Sequence, residues 1–271
     1  MTLQTEIAAI PQDRPLLIGL DRDGTVVPYA ERPEDAKVDA ALYSLLRNLA
    51  EQPHTTVCVV SARSLAWLRG DFPDTKVILA GNYGLEIEFP GGERLAHPDA
   101  VDLGPELARL RDILAPLISS PYKAILEDHG LSLCLHWHTV PVDQRPYVFD
   151  VVERIAEVAQ LHHLQCRTMP TSWEFVPKVN WHKGDALQAI DARLGPAHTE
   201  PGPESAADAG RFYIFGGDTS GDEAAFRWVN EREGISVKVG APDDTAARFV
   251  LSTPFELRAV LEQILESRRV G

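Results

Sequence analysis

Cysteine is scarce in this chain, with three in 271 residues and none in a CxxC spacing. Cys58, Cys134 and Cys166 each fall in a stretch that reads as a strand, which suits buried, reduced thiols rather than a disulfide or a zinc site. No run of 18 apolar residues occurs, so no transmembrane helix is expected. Met1 to Arg14 mixes Gln, Glu, Asp and Pro and lacks a basic-then-apolar leader, so a cytoplasmic location is the expectation. Cations are also short: 26 Lys and Arg face 40 Asp and Glu, a net charge of −14. That balance argues against nucleic acid or an anionic membrane as partner. It leaves room for a small anionic substrate, because a local field can oppose the global one.

What is present describes an ordinary globular chain, 44% hydrophobic and 24% charged. It is long enough for one large domain or two modest ones. Its most informative stretch is Asp21-Arg22-Asp23-Gly24-Thr25, directly after the apolar run Leu16 to Leu20. A run without polar alternation suits a strand buried on both faces of a parallel sheet. Gly24 then ends it in a sharp turn. Carboxylates at the carboxyl end of such a strand sit where open α/β sheets hold ligands, and their charge is costly unless a cation or proton answers it.

Three further apolar runs end in the same manner. Thr56 to Val60 meets Ser61, Val77 to Ala80 meets Gly81-Asn82, and Phe212 to Phe215 meets Gly216-Gly217-Asp218. Helical patterns such as Ala40 to Ala50 lie between them. The alternation predicts a parallel sheet with helices on both faces and the four endings along one edge. Ile235 to Val239 adds a candidate fifth strand. Thr253-Pro254-Phe255-Glu256 has the cap chemistry of a helix start.

The middle of the chain follows another pattern. Helix (Glu106 to Ile118), strands (Tyr122 to Glu127 and Leu131 to His138), helix (Gln144 to Gln160) and strands (His163 to Met169 and Ser172 to Val176) predict an inserted α+β domain. Its antiparallel sheet would carry helices on one face. Its expected extent is residues 100 to 178, with 1 to 99 and 179 to 271 forming the core. Gly195 to Gly210 reads as a surface loop. His136 and His138 flank Trp137 with no third metal ligand indicated, which reads as packing.

The ordered set DxDGT, a Ser after a strand, Lys183-Gly184 opening a helix, and Gly217-Asp218 with Asp222 four residues on resembles the haloacid dehalogenase superfamily of phosphatases. The finer resemblance is to trehalose-6-phosphate phosphatases. It rests on Gly24-Thr25-Val26-Val27-Pro28, Pro33-Glu34-Asp35-Ala36, Ser61-Ala62-Arg63, Gly81-Asn82-Tyr83-Gly84-Leu85-Glu86, Glu127-Asp128-His129-Gly130, His136-Trp137, and Glu174-Phe175-Val176-Pro177. The resemblance implies a Rossmann-like core with a cap domain for sugar recognition. It makes Asp21 the nucleophile and Asp23 the general acid and base. Gly24, Thr25, Ser61, Arg63 and Lys183 would bind phosphate. Mg²⁺ would sit on Asp21, Asp23 (through its carbonyl), Asp218 and Asp222. Asn82, Tyr83, Glu127, His129 and Glu174 would bind the sugar. The implied partner is a small sugar phosphate; the sequence leaves the oligomeric state open and is compatible with a monomer.

Some positions depart from the family pattern: Arg22 for an aromatic, Tyr83 for His, His129 for Lys, and Thr219 and Gly221 in the fourth motif. Sucrose phosphate or mannosyl-3-phosphoglycerate is the alternative substrate. A catalytically silent sugar-phosphate sensor is the alternative from another class.

Overall fold

A computed structural model describes residues 2–169, 171–196, 210–242 and 244–269, so most of the loop expected over Gly195 to Gly210 lies outside the described residues. The chain divides into two compact units. One joins Met1–Arg94 to Trp181–Gly271; the other is the contiguous segment Leu95–Asn180, where the sequence suggests 100 to 178.

Along the chain, the first unit opens with α1 (Leu3–Ala8), β1 (Leu16–Leu20), α2 (Ala40–Ala50), β2 (Thr55–Val60), α3 (Leu65–Asp71), β3 (Ile78–Gly81) and β4 (Glu86–Glu88). Strand β5 (Arg94–Ala96) follows at the join. The second unit continues with α4 (Pro98–Asp102), α5 (Gly104–Ile118), β6 (Ile125–Asp128), β7 (Leu133–His136), α6 (Arg145–Leu161), β8 (Leu164–Thr168) and β9 (Ser172–Pro177). The chain then returns to the first unit as α7 (Lys183–Leu194), β10 (Phe212–Gly217), α8 (Glu223–Asn230), β11 (Ile235–Val239), β12 (Phe249–Leu251) and α9 (Pro254–Arg269).

In the first unit the strand order is β12-β11-β10-β1-β2-β3-β4, parallel from β12 through β3. Every residue of β1 is buried, as its unbroken apolar run requires. Leu16, Ile18 and Leu20 face one core with Leu42, Leu46 and Leu49 of α2 and Leu257, Leu261 and Ile264 of α9. Leu17 faces the other with Leu187 and Ile190 of α7 and Phe226 and Val229 of α8. Each fully buried Leu or Ile contributes roughly 1.5–3 kcal/mol by leaving water. The two-sided burial also fixes the register, since a slip by one residue would exchange the faces.

This order places β1 between β10 and β2, so Asp21, Ser61 and Asp218 follow adjacent strand ends. That is the crevice where ligands of open α/β sheets bind. Side-chain caps fix where the neighbouring helices begin. Asp39 accepts from the Leu42 amide at 2.8 Å, and Ser64, rather than Ser61, caps α3 by accepting from the Trp67 amide at 3.1 Å. Ser61 is thereby left to the loop.

The second unit has one antiparallel sheet in the order β6-β7-β9-β8. Leu133, Leu135, Trp173 and Phe175 pack with Leu107, Leu110 and Leu114 of α5 and Val148 and Val152 of α6. Both long helices therefore cover the same face of the sheet, and the alternate residues form the other face. Strands β6 and β7 are shorter than the sequence suggests, and His138 lies beyond the end of β7.

Candidate active site

The loop after β1 is closed on itself. The Gly24 amide donates to the Val27 carbonyl at 2.8 Å, and the Val26 and Val27 amides donate to the Arg22 carbonyl at 3.1 and 2.9 Å. Gly24 adopts φ +80°, and a Cβ there would collide with the Asp218 carboxylate and the Tyr29 ring. Glycine is required on both counts. The turn brings Thr25, fully buried, beneath the carboxylates, and its hydroxyl lies 3.1 Å from Asp21 Oδ2 and 3.3 Å from Asp218 Oδ1. The Tyr29 hydroxyl donates to Asp218 Oδ2 at 2.7 Å, a contact with no signature in the sequence.

Lys183 begins α7, whose N-cap is His182 in a reciprocal pair with Asp185. A Cβ at Gly184 would lie 2.8 Å from the Ala224 carbonyl, so glycine lets α7 and α8 approach closely there. Lys183 is buried rather than solvated, and its ammonium donates to Asp21 Oδ1 at 2.5 Å and Asp222 Oδ1 at 2.7 Å. Burial alone would lower its pKa, but Asp21 and Asp222 outweigh that and hold it above the usual lysine range. Burial pushes the Asp21 carboxyl well up despite the attraction of Lys183, and burial likewise raises Asp218.

Asp222 is fully buried. Its Oδ2 accepts from the Asp218 and Thr219 amides, both at 3.0 Å, and from the Thr219 hydroxyl at 3.2 Å. Both its oxygens are therefore engaged, one by the loop and one by Lys183. Thr219, one of the departures from the family pattern, serves as a cap on this carboxylate.

Asp21, Asp218 and Asp222 lie with carboxylate oxygens within 4.8 Å of one another. Three carboxylates face one ammonium in a largely buried pocket, so the site lacks positive charge, and its donors are all oxygen. That is the chemistry of a hard divalent cation site. Because Asp222 is already engaged, Asp21 and Asp218 are the side chains best able to hold the ion.

Asp23 is held by two guanidinium groups. Arg22 Nη1 lies 2.6 Å from its Oδ1, and Arg63 reaches it through Nε at 3.1 Å and Nη2 at 3.0 Å. Arg22 is fully buried and is also fixed by Asp71 at 2.7 Å and the Ala36 carbonyl at 2.6 Å. Arg63 lies over the Trp67 ring, 4.4 Å from its centroid. Sequence reasoning marked Arg22 only as a replaced aromatic and missed this role, because its partners come from distant segments.

The loops after β2 and β3 are stitched together. The Asn82 amide donates to the Arg63 carbonyl and the Tyr83 amide to the Ser61 carbonyl, each at 2.8 Å. Asn82 and Tyr83 both have left-handed φ, +51° and +59°. Two consecutive non-glycine residues in that region are held by surrounding contacts, as functional loops often are. Ser61 and Asn82 are buried, and the Ser61 hydroxyl accepts from the Arg63 amide at 3.1 Å.

Glu127, His129 and Glu174 belong to the second unit. Glu127, Cys134 and Glu174 are register partners across β6, β7 and β9, so they share the sheet face opposite the helices. Glu127 Oε2 lies 2.9 Å from His136 Nε2 and 3.4 Å from His129 Nε2. These two imidazoles hold the Glu127 carboxyl well below the usual range, His129 contributing most. His136 is pushed up to about 10, first by the Cys134 sulfur and then by Glu127. The expectation that His136 merely packs is thus corrected. It is a charged partner of Glu127, and the antiparallel pairing supplies the neighbours that linear spacing concealed.

A family model described as trehalose-phosphatase matches residues 19–254. Trehalose-phosphate phosphatase B of Arabidopsis thaliana is 26% identical over 97% of this chain and 70% of its own length. A Mycobacterium tuberculosis protein described as an uncharacterized glycosyl hydrolase is 33% identical over 90% of this chain, which spans only 18% of that protein. A crystal structure of a trehalose-6-phosphate phosphatase related protein superposes with a TM-score of 0.74 at 23% identity, covering 92% of this chain and 97% of the other. The fold is the haloacid dehalogenase-like one that the motifs imply. With a match across most of its length, the chain belongs to the trehalose-phosphatase family and is a phosphatase.

Proposed function

We propose that this phosphatase hydrolyses trehalose 6-phosphate with Mg²⁺, through an aspartyl-phosphate formed at Asp21. The observation that carries the reading is the buried group of Asp21, Asp218 and Asp222 around a single lysine. Asp21 and Asp218 would hold Mg²⁺, with the Asp23 carbonyl as a third ligand, while Asp222 anchors Lys183 and the loop. When bound, the ion offsets negative charge on phosphate and nucleophile.

The chain's own residues then have separable tasks. Asp21 attacks phosphorus as the bond to the sugar oxygen breaks, and Asp23 gives that oxygen a proton. Asp23 next takes a proton from water as the water attacks the aspartyl-phosphate, releasing inorganic phosphate and restoring Asp21. Lys183 offsets part of the cost of ionising the buried Asp21. Arg63 is shared between Asp23 and the arriving phosphate, so substrate binding loosens its hold on Asp23 before the proton must leave. Ser61 and the backbone at Gly24 and Thr25 complete the phosphate cradle, in-line geometry being the main requirement. In the second unit, Glu127, His129 and Glu174 would recognise sugar hydroxyls, for which carboxylates are apt two-oxygen acceptors; in the first, Asn82 and Tyr83 are further candidates.

Purified protein is expected to release phosphate from trehalose 6-phosphate, to lose that activity in a chelator, and to recover it with added Mg²⁺. Asp21→Asn should abolish it. No phosphate release from any member of a sugar-phosphate panel would refute the reading. Tyr83 and His129 favour a second substrate reading, another glycosyl phosphate such as sucrose phosphate. Relative kcat/KM across the panel decides between them.

A further inference from the structure

We propose that Glu127, Cys134 and His136 form a site in the β6–β7 hairpin for one thiophilic divalent cation of the zinc class. A carboxylate oxygen, the Cys134 sulfur and the His136 imidazole nitrogen lie within 4.8 Å of one another. His129 Nε2 lies 3.4 Å from the same Glu127 oxygen that His136 approaches at 2.9 Å. One sulfur, one imidazole and one carboxylate make a borderline-soft set of three protein donors that zinc accepts, with a fourth position left for water. The oxygen-only group around Asp21 suits a hard ion instead.

The fold supplies the convergence. Antiparallel pairing sets Cys134 opposite Glu127, and His136 follows two residues along on the same face. His129 is brought back by the turn that closes the hairpin, where its amide donates to the Ser132 carbonyl at 2.9 Å. The Ser132 hydroxyl lies 3.4 Å from His129 Nδ1, so His129 is held beside Glu127 as an outer partner of the site. Cys134 and His136 are buried, which shields a coordinated ion from bulk water. A metal bound there would release the Cys134 thiol proton to solvent as the thiolate coordinates. Spacing along the chain gave no hint of this, since the three cysteines read individually as buried thiols.

Glu127 and His129 are also assigned to the sugar under the proposed function, and on that reading bound zinc excludes the substrate. The metal site itself does not depend on it. The direct test is titration of the metal-free full chain with Co²⁺. Binding should give a thiolate-to-cobalt charge-transfer band in the near ultraviolet with one ion per chain, removed by Zn²⁺. The band should be absent from Cys134→Ser, and Co²⁺ affinity should fall more than about ten-fold in His136→Gln. Thermal melts of both variants show that each is folded. A carboxylate-only site yields no such band, so cobalt at Asp21 and Asp218 cannot imitate it. No thiolate band in the wild-type chain, or one unchanged in Cys134→Ser, would overturn the proposal. A second arm measures zinc inhibition at saturating Mg²⁺: KM for the sugar phosphate should rise with Zn²⁺ in the wild type and much less in Cys134→Ser. Inhibition without a thiolate band counts against the site, whereas a band without turnover counts against the assigned activity alone.

Discussion

Lys183 shows how single groups in this site depend on one another. Its ammonium is the counter-charge to two buried carboxylates, so its removal would leave both without compensation. Truncating one partner of a buried ion pair costs about 3–5 kcal/mol. Lys183→Met is therefore expected to lower unfolding stability by about that amount in urea titration, and to abolish turnover. Added Mg²⁺ should restore part of the stability but not the activity. A variant with wild-type stability would show that Asp21 and Asp222 are not charged together in the folded state.

The His136–Glu127 pair makes a signed prediction about pH. His136 is raised from its usual 6.5 to about 10, so its stabilising share is complete below about pH 6.5 and is lost as pH rises through about 10. Glu127 is lowered, so its share is present above its usual value of about 4.3 and is lost only in acid. Both windows are open near pH 6. In chelator-treated protein, the stability difference between wild type and His136→Gln should be larger at about pH 6 than at about pH 9. Equal differences at the two values would mean that the imidazole is not charged in the folded protein.

At the scale of elements, α2 shows how a helix is fixed at its start. Asp39 caps it through the Leu42 amide and also meets Arg258 of α9 at 2.5 Å. The carboxylate is about half exposed, which limits the worth of that ion pair, so the cap is the larger contribution. Asp39→Ala should cost about 1 kcal/mol, read from the urea midpoint, and Asp39→Asn much less. Asn also caps, so equal losses in the two variants would mean that charge, not capping, is what matters.

The same elements show what sequence conveys. The helix over Ala40–Ala50 and the strand over Leu16–Leu20 have the bounds their patterns predict, because each buries a continuous or periodic apolar set. Lys183 opens α7 where the Lys-Gly motif indicates. Shorter elements were not legible. Strand β4 has three residues, too few for a period, and α1 was not anticipated, although Thr2 caps it. In the site, the DxD carboxylates announce themselves because nothing structural favours two charges after a buried strand. The Arg22–Asp71 and Glu127–His136 contacts do not, since each joins segments whose proximity only the folded sheets create.

At the scale of the whole molecule, each unit has a sheet, helices and apolar core of its own. The core unit is discontinuous in sequence, whereas Leu95–Asn180 is one unbroken stretch. Its sheet is antiparallel and its strands pair mainly with near neighbours in the chain, the arrangement that costs least in loop closure. Leu107, Leu110, Leu114, Leu133, Leu135 and Phe175 are all buried within it. Domains with a separate core are in principle able to fold alone. A fragment of residues 95 to 180 should therefore show a cooperative urea transition, with far-ultraviolet dichroism of mixed helix and sheet. A domain this small buries a lesser fraction of its surface, so its midpoint should fall below that of the full chain. The cobalt site offers a sharper check, because all three of its protein donors lie within the fragment. If the fragment folds and those donors converge by hairpin pairing alone, its thiolate band should match that of the full chain. A featureless, non-cooperative fragment would show that the insertion depends on the core for its order.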